Sequence, residues 1–90
     1  MRSLTTTKFW EGYSALPLEI KNAARKQYRI WQSNPRHPSL HFKPIGELWS
    51  VRVTQDYRAL ALFEDDTYHW IWIGTHLSLI HISEPTRPRL

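Results

Sequence analysis

Residues 48–63 read LWSVRVTQDYRALALF, and they contain two runs of strand-forming residues separated by a short polar turn. In the first run apolar side chains occupy every second position, namely Trp49, Val51 and Val53. This period of two is typical of a β-strand with one buried face, and the polar Ser50 and Arg52 fall on the other face. Residues 57–63 form the second run, so the segment predicts a β-hairpin.

A third strand is predicted after this hairpin, over residues 68–74, with residues 64–67 as the turn. This strand and residues 57–63 are apolar on both faces, which indicates a central position that is covered on both sides. Ahead of the hairpin, residues 40–43 predict one further short strand. The sheet is therefore expected to be small, mainly antiparallel and built from three to four strands.

Two helices are predicted before the sheet. A short first helix is indicated by apolar side chains at helical spacing, Phe9, Tyr13 and Leu16. Pro17 ends it and suits the first turn of a second helix, which we expect to run to about Ser33. The apolar positions of that helix are Ile20, Ala24, Tyr28 and Trp31. Residues 34–39 are predicted as a loop because prolines and an asparagine interrupt them. Two N-terminal helices packed on an antiparallel meander define an α+β domain.

The 90-residue chain has the size of a single domain, with twelve Lys and Arg against eight Asp and Glu and a formal net charge of +4. This balance favours an acidic partner, such as nucleic acid or an acidic protein. The absence of cysteine excludes disulfide scaffolds and thiolate metal sites. A proline separates His37 from His41, so we expect no metal site there. No stretch has the apolar length of a signal peptide or a membrane span, which predicts a soluble cytoplasmic protein without a membrane partner.

The character of the chain changes at residue 77. Residues 77–90 read LSLIHISEPTRPRL, show no helical period and end in prolines and basic residues. This stretch resembles the in-frame translation of a transposon-end adaptor that is used to prepare DNA sequencing libraries. We therefore expect a non-native tail, the alternative being a natural extension, and leave His81 out of the candidate residues.

Residues 49–60, WSVRVTQDYRAL, and residues 70–76, WIWIGTH, resemble the core of the RelE/ParE superfamily, the toxins of type II toxin–antitoxin systems. The likeness begins at Phe9 and ends at His76, so the expected toxin domain covers residues 1–76. The resemblance implies two helices on a compact sheet whose basic face cuts mRNA in the ribosome and inhibits translation. It also implies a cognate antitoxin as partner, and neither a metal nor a small-molecule cofactor.

The resemblance implies a catalytic role for Arg52, Arg58 and His76, and RNA binding by Lys43, Arg52 and Arg58. An arginine suits the clamping of a phosphate because its planar guanidinium meets two oxygens and stays charged. A histidine suits the transfer of protons, and His76 is expected to act as general acid. Many superfamily members add an aromatic or acidic residue from a C-terminal helix, which the adaptor-like tail replaces here. Without that helix we expect apolar sheet surface to be uncovered around Ile71, Trp72 and Ile73.

Ordinary structural roles remain open for the same residues. In these alternatives Arg58 pairs with Asp56 or Glu64, Arg52 is only solvated, and His76 is an inert polar residue at a strand end. The tryptophans of the sheet are expected in the core, namely Trp49, Trp70 and Trp72. At the level of function, the alternatives are a ParE-like poison of DNA gyrase and a catalytically inactive relative that binds an antitoxin.

Overall fold

The computed structural model describes residues 2–75, so His76 and the expected tail lie outside the described residues. The elements are, in chain order, β1 (Arg2–Thr5), α1 (Thr7–Ser14), α2 (Leu18–Ser33), a 3₁₀ helix (Pro38–Leu40), β2 (Lys43–Ile45), β3 (Leu48–Arg52), β4 (Tyr57–Glu64) and β5 (Thr67–Thr75). No helix within residues 2–75 is long and apolar enough to cross a membrane.

The strands form one sheet in the order β1-β5-β4-β3-β2, in which β1 runs parallel to β5 and the other pairs are antiparallel. The predicted α+β fold with two helices and a mainly antiparallel sheet is confirmed, as is the central position of β4 and β5. The sheet has five strands instead of three to four, because the sequence pattern does not predict β1. Its four residues, RSLT, are mostly exposed and show no apolar alternation.

The short strand expected over residues 40–43 is displaced. Pro38 begins a 3₁₀ helix instead, and His41 follows it with φ 46°, a left-handed conformation that strands do not contain. Strand β2 therefore begins only at Lys43, which lies opposite Ser50 of β3. His41 therefore lies in a turn rather than in the sheet.

Helix α2 matches the predicted segment, and α1 is also found but ends at Ser14, before Leu16. Helix α1 begins after Thr6, whose hydroxyl accepts a hydrogen bond from Phe9 N at 3.3 Å and donates one to Trp70 O at 3.0 Å. The N-cap therefore also ties the start of α1 to β5. Helix α2 begins after Pro17, which has extended backbone (ψ 154°) and no N–H to leave unsatisfied.

The core lies between the helices and one face of the sheet. Trp31 of α2 is 1% exposed, and its ring centroid lies 5.1 Å from that of Trp70 and 5.2 Å from that of Tyr68, both edge-to-face. The other buried members of this cluster are Leu40, Val51, Val53, Ala59, Ala61 and Ile73. The apolar face predicted for β3 is thus confirmed as a core face.

The opposite face of the sheet, the second face, carries Ser50, Arg52, Arg58, Leu60 and Trp72. A β-bulge in β5 brings Trp72 there. Leu60 lies opposite Trp72 and Ala61 opposite Trp70, so Ile71 has no partner in the ladder. Trp70 and Trp72 therefore point to opposite faces.

Two expectations about β5 need correction. Trp70 is buried in the core, but Trp72 is only half-buried because the bulge turns it to the second face. Ile73 is 4% exposed and lies under α1, where a Cβ built on Gly12 would stand 3.3 Å from its Cγ2. Ile73 is therefore not part of the apolar surface that loss of a C-terminal helix would uncover.

Candidate anion-binding site on the second face

Two arginines stand side by side on the second face, at the end of the hairpin next to its turn. Arg52 of β3 and Arg58 of β4 are direct partners in the antiparallel ladder, and both are half-buried. Directly opposed residues in such a pair have Cβ atoms about 4.5–5.5 Å apart, and like charges in these positions destabilise the pair. The structure therefore brings together two of the predicted site residues, and an anion bound between them would offset the repulsion of their charges.

Arg58 is held by a buried hydroxyl. Its Nη1 donates to Ser50 Oγ at 3.2 Å, and Ser50 is 0% exposed. Desolvation by burial, and then the positive charge of Arg52, lower the pKa of Arg58 from its ordinary value. Within residues 2–75 no carboxylate forms an ion pair with Arg58, so the alternative pairing with Asp56 or Glu64 is not seen.

Arg52 contacts a histidine. Its Nη1 lies 2.9 Å from His41 Nε2. A guanidinium has only donors, so the imidazole is the acceptor in this contact, through an Nε2 that carries no proton. The sequence did not single out His41 for this site, because its position depends on the turn that follows the 3₁₀ helix. The alternation of apolar and polar residues in β3 places Arg52 on the polar face, but it does not predict that His41 contacts Arg52.

The backbone around this contact is anchored from α2. Gln27 is buried, at 9% exposure, and its Nε2 donates to Arg52 O at 2.8 Å and to Ser39 O at 3.2 Å. One side chain therefore joins the end of β3 to the segment that leads into His41. Gln27 was not predicted as part of the site, and a polar residue on the otherwise apolar side of α2 is the one signal that the sequence offers.

The two remaining predicted residues have different outcomes. Lys43 is exposed on the edge strand β2 and lies opposite Ser50, one row away from the arginine pair. It therefore flanks the pair as a third cation. His76 lies outside the described residues. Gly74 of β5 is the ladder partner of Arg58, so the described chain ends one residue beyond that partner.

The chemistry of this set suits a phosphate group. A planar guanidinium donates two parallel hydrogen bonds to phosphate oxygens, and a neutral imidazole accepts a proton. Within residues 2–75 no group of three or more His, Asp or Glu side chains has the arrangement of a metal site. In the described part of the chain, arginine and lysine side chains give the site its positive charge.

Comparison with known proteins gives one kind of match. No protein-family model and no curated protein sequence matches the chain. Among solved structures, YafQ from E. coli strain BL21(DE3) aligns with a TM-score of 0.71 at 15% identity, over 88% of this chain and 98% of YafQ. The RelB–RelE antitoxin–toxin complex from Methanococcus jannaschii gives a TM-score of 0.70 at 18% identity, over 88% and 96%. A YoeB/ParE toxin from Agrobacterium tumefaciens gives 0.67 at 16% identity, over 84% and 99%.

These likenesses identify the architecture. The chain has the fold shared by RelE, YafQ, YoeB and ParE toxins, and it spans nearly the whole length of each aligned toxin chain. At identities of 15–18% the likeness concerns the fold alone. The fold that the sequence resemblance implied is confirmed.

Proposed function

We propose that this protein is the toxin of a toxin–antitoxin pair and that it cuts mRNA on the ribosome. The observation that carries the proposal is the opposed pair of arginines on the second face, Arg52 and Arg58, which no carboxylate neutralises within residues 2–75. A fold shared with the toxin of the RelB–RelE complex and with a YoeB/ParE toxin supports the toxin role. If both arginines had only a structural role, nothing in the described residues would offset the repulsion between their charges.

The reaction needs a ribose 2′-hydroxyl to attack the adjacent phosphate, and the charge that builds on phosphorus must be offset. Arg52 and Arg58 meet this need by binding the non-bridging oxygens of the phosphate. The two arginines hold these oxygens more tightly as the negative charge on the oxygens grows. Lys43 extends the cationic surface toward a neighbouring phosphate of the same strand. His76 is the proposed general acid that protonates the departing 5′-oxygen.

A cognate antitoxin is the second proposed partner. The Methanococcus jannaschii structure of this fold is a complex of toxin and antitoxin. Helix α2 presents an outer row of cations, Lys21, Arg25, Lys26 and Arg29, which suits an acidic protein segment. Binding to ribosomes and to an antitoxin places the protein in the cytoplasm.

The decisive experiment measures cutting of an end-labelled mRNA on programmed ribosomes. We expect the wild-type chain to cut and Arg58→Ala to cut about 10²–10³-fold more slowly, since one charge-stabilising donor is removed. Arg36→Ala is the matched control, because it removes an exposed arginine from the loop after α2 and should leave cutting unchanged. Thermal unfolding of each variant by circular dichroism checks that the fold is intact.

Other outcomes select other functions. Equal cutting by Arg58→Ala and the wild-type chain contradicts the site assignment. A wild-type chain that leaves mRNA whole but traps gyrase on cleaved DNA is a ParE-like poison. A folded chain with neither activity that still binds its antitoxin is an inactive relative.

A further inference from the structure

We propose that His41 is the general base of the cleavage reaction, an inference that rests on the proposed mRNA cutting. The contact that carries it joins His41 Nε2 to Arg52 Nη1 at 2.9 Å. Arg52 holds the attacked phosphate in the proposed mechanism, so this imidazole lies beside the reacting group. Neither the sequence pattern nor the resemblance to known toxins assigns a role to His41.

The hydrogen bond requires one tautomer of the neutral ring. Because Arg52 can only donate, Nε2 must be unprotonated, and the proton of the neutral ring is on Nδ1. A base needs this form before the substrate arrives. When a phosphate takes the Arg52 guanidinium, the lone pair of Nε2 loses its partner and becomes available to the neighbouring 2′-hydroxyl.

The position of His41 is set by its own backbone. It follows the 3₁₀ helix in the left-handed region, with φ 46°, and its N–H donates to Pro38 O at 3.3 Å. Leu40 before it is 0% exposed, and Phe42 after it stacks on Trp49 with ring centroids 4.8 Å apart. A buried neighbour on one side and a partly buried neighbour on the other therefore hold the backbone of His41 in place, which suits a catalytic group.

The other histidines within residues 2–75 lie elsewhere. His37 is tied to its own turn, where Nδ1 lies 2.9 Å from Ser39 Oγ and accepts from Ser39 N at 3.2 Å. His69 lies opposite Leu62, two rows along the second face from the arginine pair. In this part of the chain His41 is thus the histidine in contact with the proposed phosphate clamp.

The proposed step conserves atoms and charge. His41 Nε2 takes the proton of the 2′-hydroxyl while the 2′-oxygen bonds to the adjacent phosphorus. The bond from phosphorus to the 5′-oxygen breaks, and that oxygen takes a proton from a general acid, which solvent then re-protonates. The products are a 2′,3′-cyclic phosphate and a 5′-hydroxyl, and His41 later returns its proton to solvent. Nothing is oxidised or reduced.

The test is a pH series of single-turnover cutting on programmed ribosomes. A base must be unprotonated, so the wild-type rate is expected to fall toward acidic pH. His41→Gln is expected to cut about 10²–10⁴-fold more slowly and to lose this acidic limb. Added imidazole is expected to restore part of the activity of His41→Ala, which a purely structural role does not explain.

His69→Gln is the matched control, since it removes a histidine of the same face outside the cluster. If His41→Gln retains the wild-type rate and acidic limb, or if His41→Ala is slow but imidazole restores nothing, the base assignment is wrong while mRNA cutting stands. If the wild-type chain does not cut mRNA, both the proposed function and the role of His41 are wrong. The wild-type measurement therefore separates failure of the proposed function from failure of the base assignment alone. Nitrogen-15 spectra of the free protein give an independent check, because a protonated His41 Nε2 at neutral pH contradicts the contact.

Discussion

The indole of Trp72 lies directly over Gly74, two residues further along β5. A Cβ built on Gly74 would stand only 2.6 Å from Trp72 Cζ2 and 3.1 Å from Cη2. Gly74 is also the ladder partner of Arg58. The absence of a side chain at position 74 therefore gives Trp72 its place on the second face, beside one arginine of the candidate site.

Gly74→Ala is expected to displace the Trp72 ring and to lower the free energy of unfolding by about 1–3 kcal/mol, because the added methyl overfills the contact. Displacement is measured as a shift of the Trp72 indole N–H signal, and stability by urea denaturation. Gly46→Ala is the control, since nothing lies within 4 Å of its added Cβ. It strains a backbone with φ +60° but should leave the Trp72 signal in place. An unshifted Trp72 signal in Gly74→Ala contradicts the contact.

The parts of the fold that the sequence predicts are those with a local period. Helix α2 and the β3–β4 hairpin are found from spacing alone, because each buries one face of a regular element. Strand β1 is not found, since its pairing with β5 joins residues 65 positions apart in sequence. The bulge at Ile71 is not found either, because an alternating WIWI pattern predicts that Trp70 and Trp72 share a face.

Some contacts of the candidate site can likewise be predicted from the sequence, and others cannot. The adjacency of Arg52 and Arg58 follows from a short turn between two alternating strands, which leaves few possible registers. His41 does not follow from any period, because its place depends on a left-handed φ and on packing of Leu40 and Phe42. Gln27 reaches the site from another element, and its hydrogen bond to Arg52 O spans 25 residues.

Gln27→Leu is expected to lower the free energy of unfolding by about 1–3 kcal/mol, because Arg52 O and Ser39 O lose a buried donor. Urea denaturation measures the loss. Gln32→Leu is the control, since Gln32 is exposed on the same helix and should change stability by less than about 0.5 kcal/mol. Equal effects of the two substitutions would show that the Gln27 hydrogen bonds contribute nothing.

The free energy of unfolding is expected to decrease at alkaline pH because Tyr68 loses its proton there. Desolvation by burial, and then the negative charge of Asp66, raise the pKa of the Tyr68 phenol. The folded state therefore favours the neutral phenol. This contribution is present at neutral pH and is lost as the pH rises above the ordinary tyrosine value of about 10. Thermal unfolding between neutral and alkaline pH should show a smaller loss for Tyr68→Phe, which does not titrate, than for the wild-type chain. Identical losses contradict the shift.

Ser50 is expected to act as a positioning residue for Arg58. Its fully buried hydroxyl accepts the hydrogen bond from Arg58 Nη1, so Ser50→Ala should lower the free energy of unfolding by about 1 kcal/mol and let the guanidinium move. We expect a slower mRNA cutting step with unchanged affinity for ribosomes, because the charge of Arg58 is still present. Ser50→Thr keeps the hydroxyl and should cut faster than Ser50→Ala. If Ser50→Ala cuts at the wild-type rate, the hydrogen bond does not position Arg58 for the reaction.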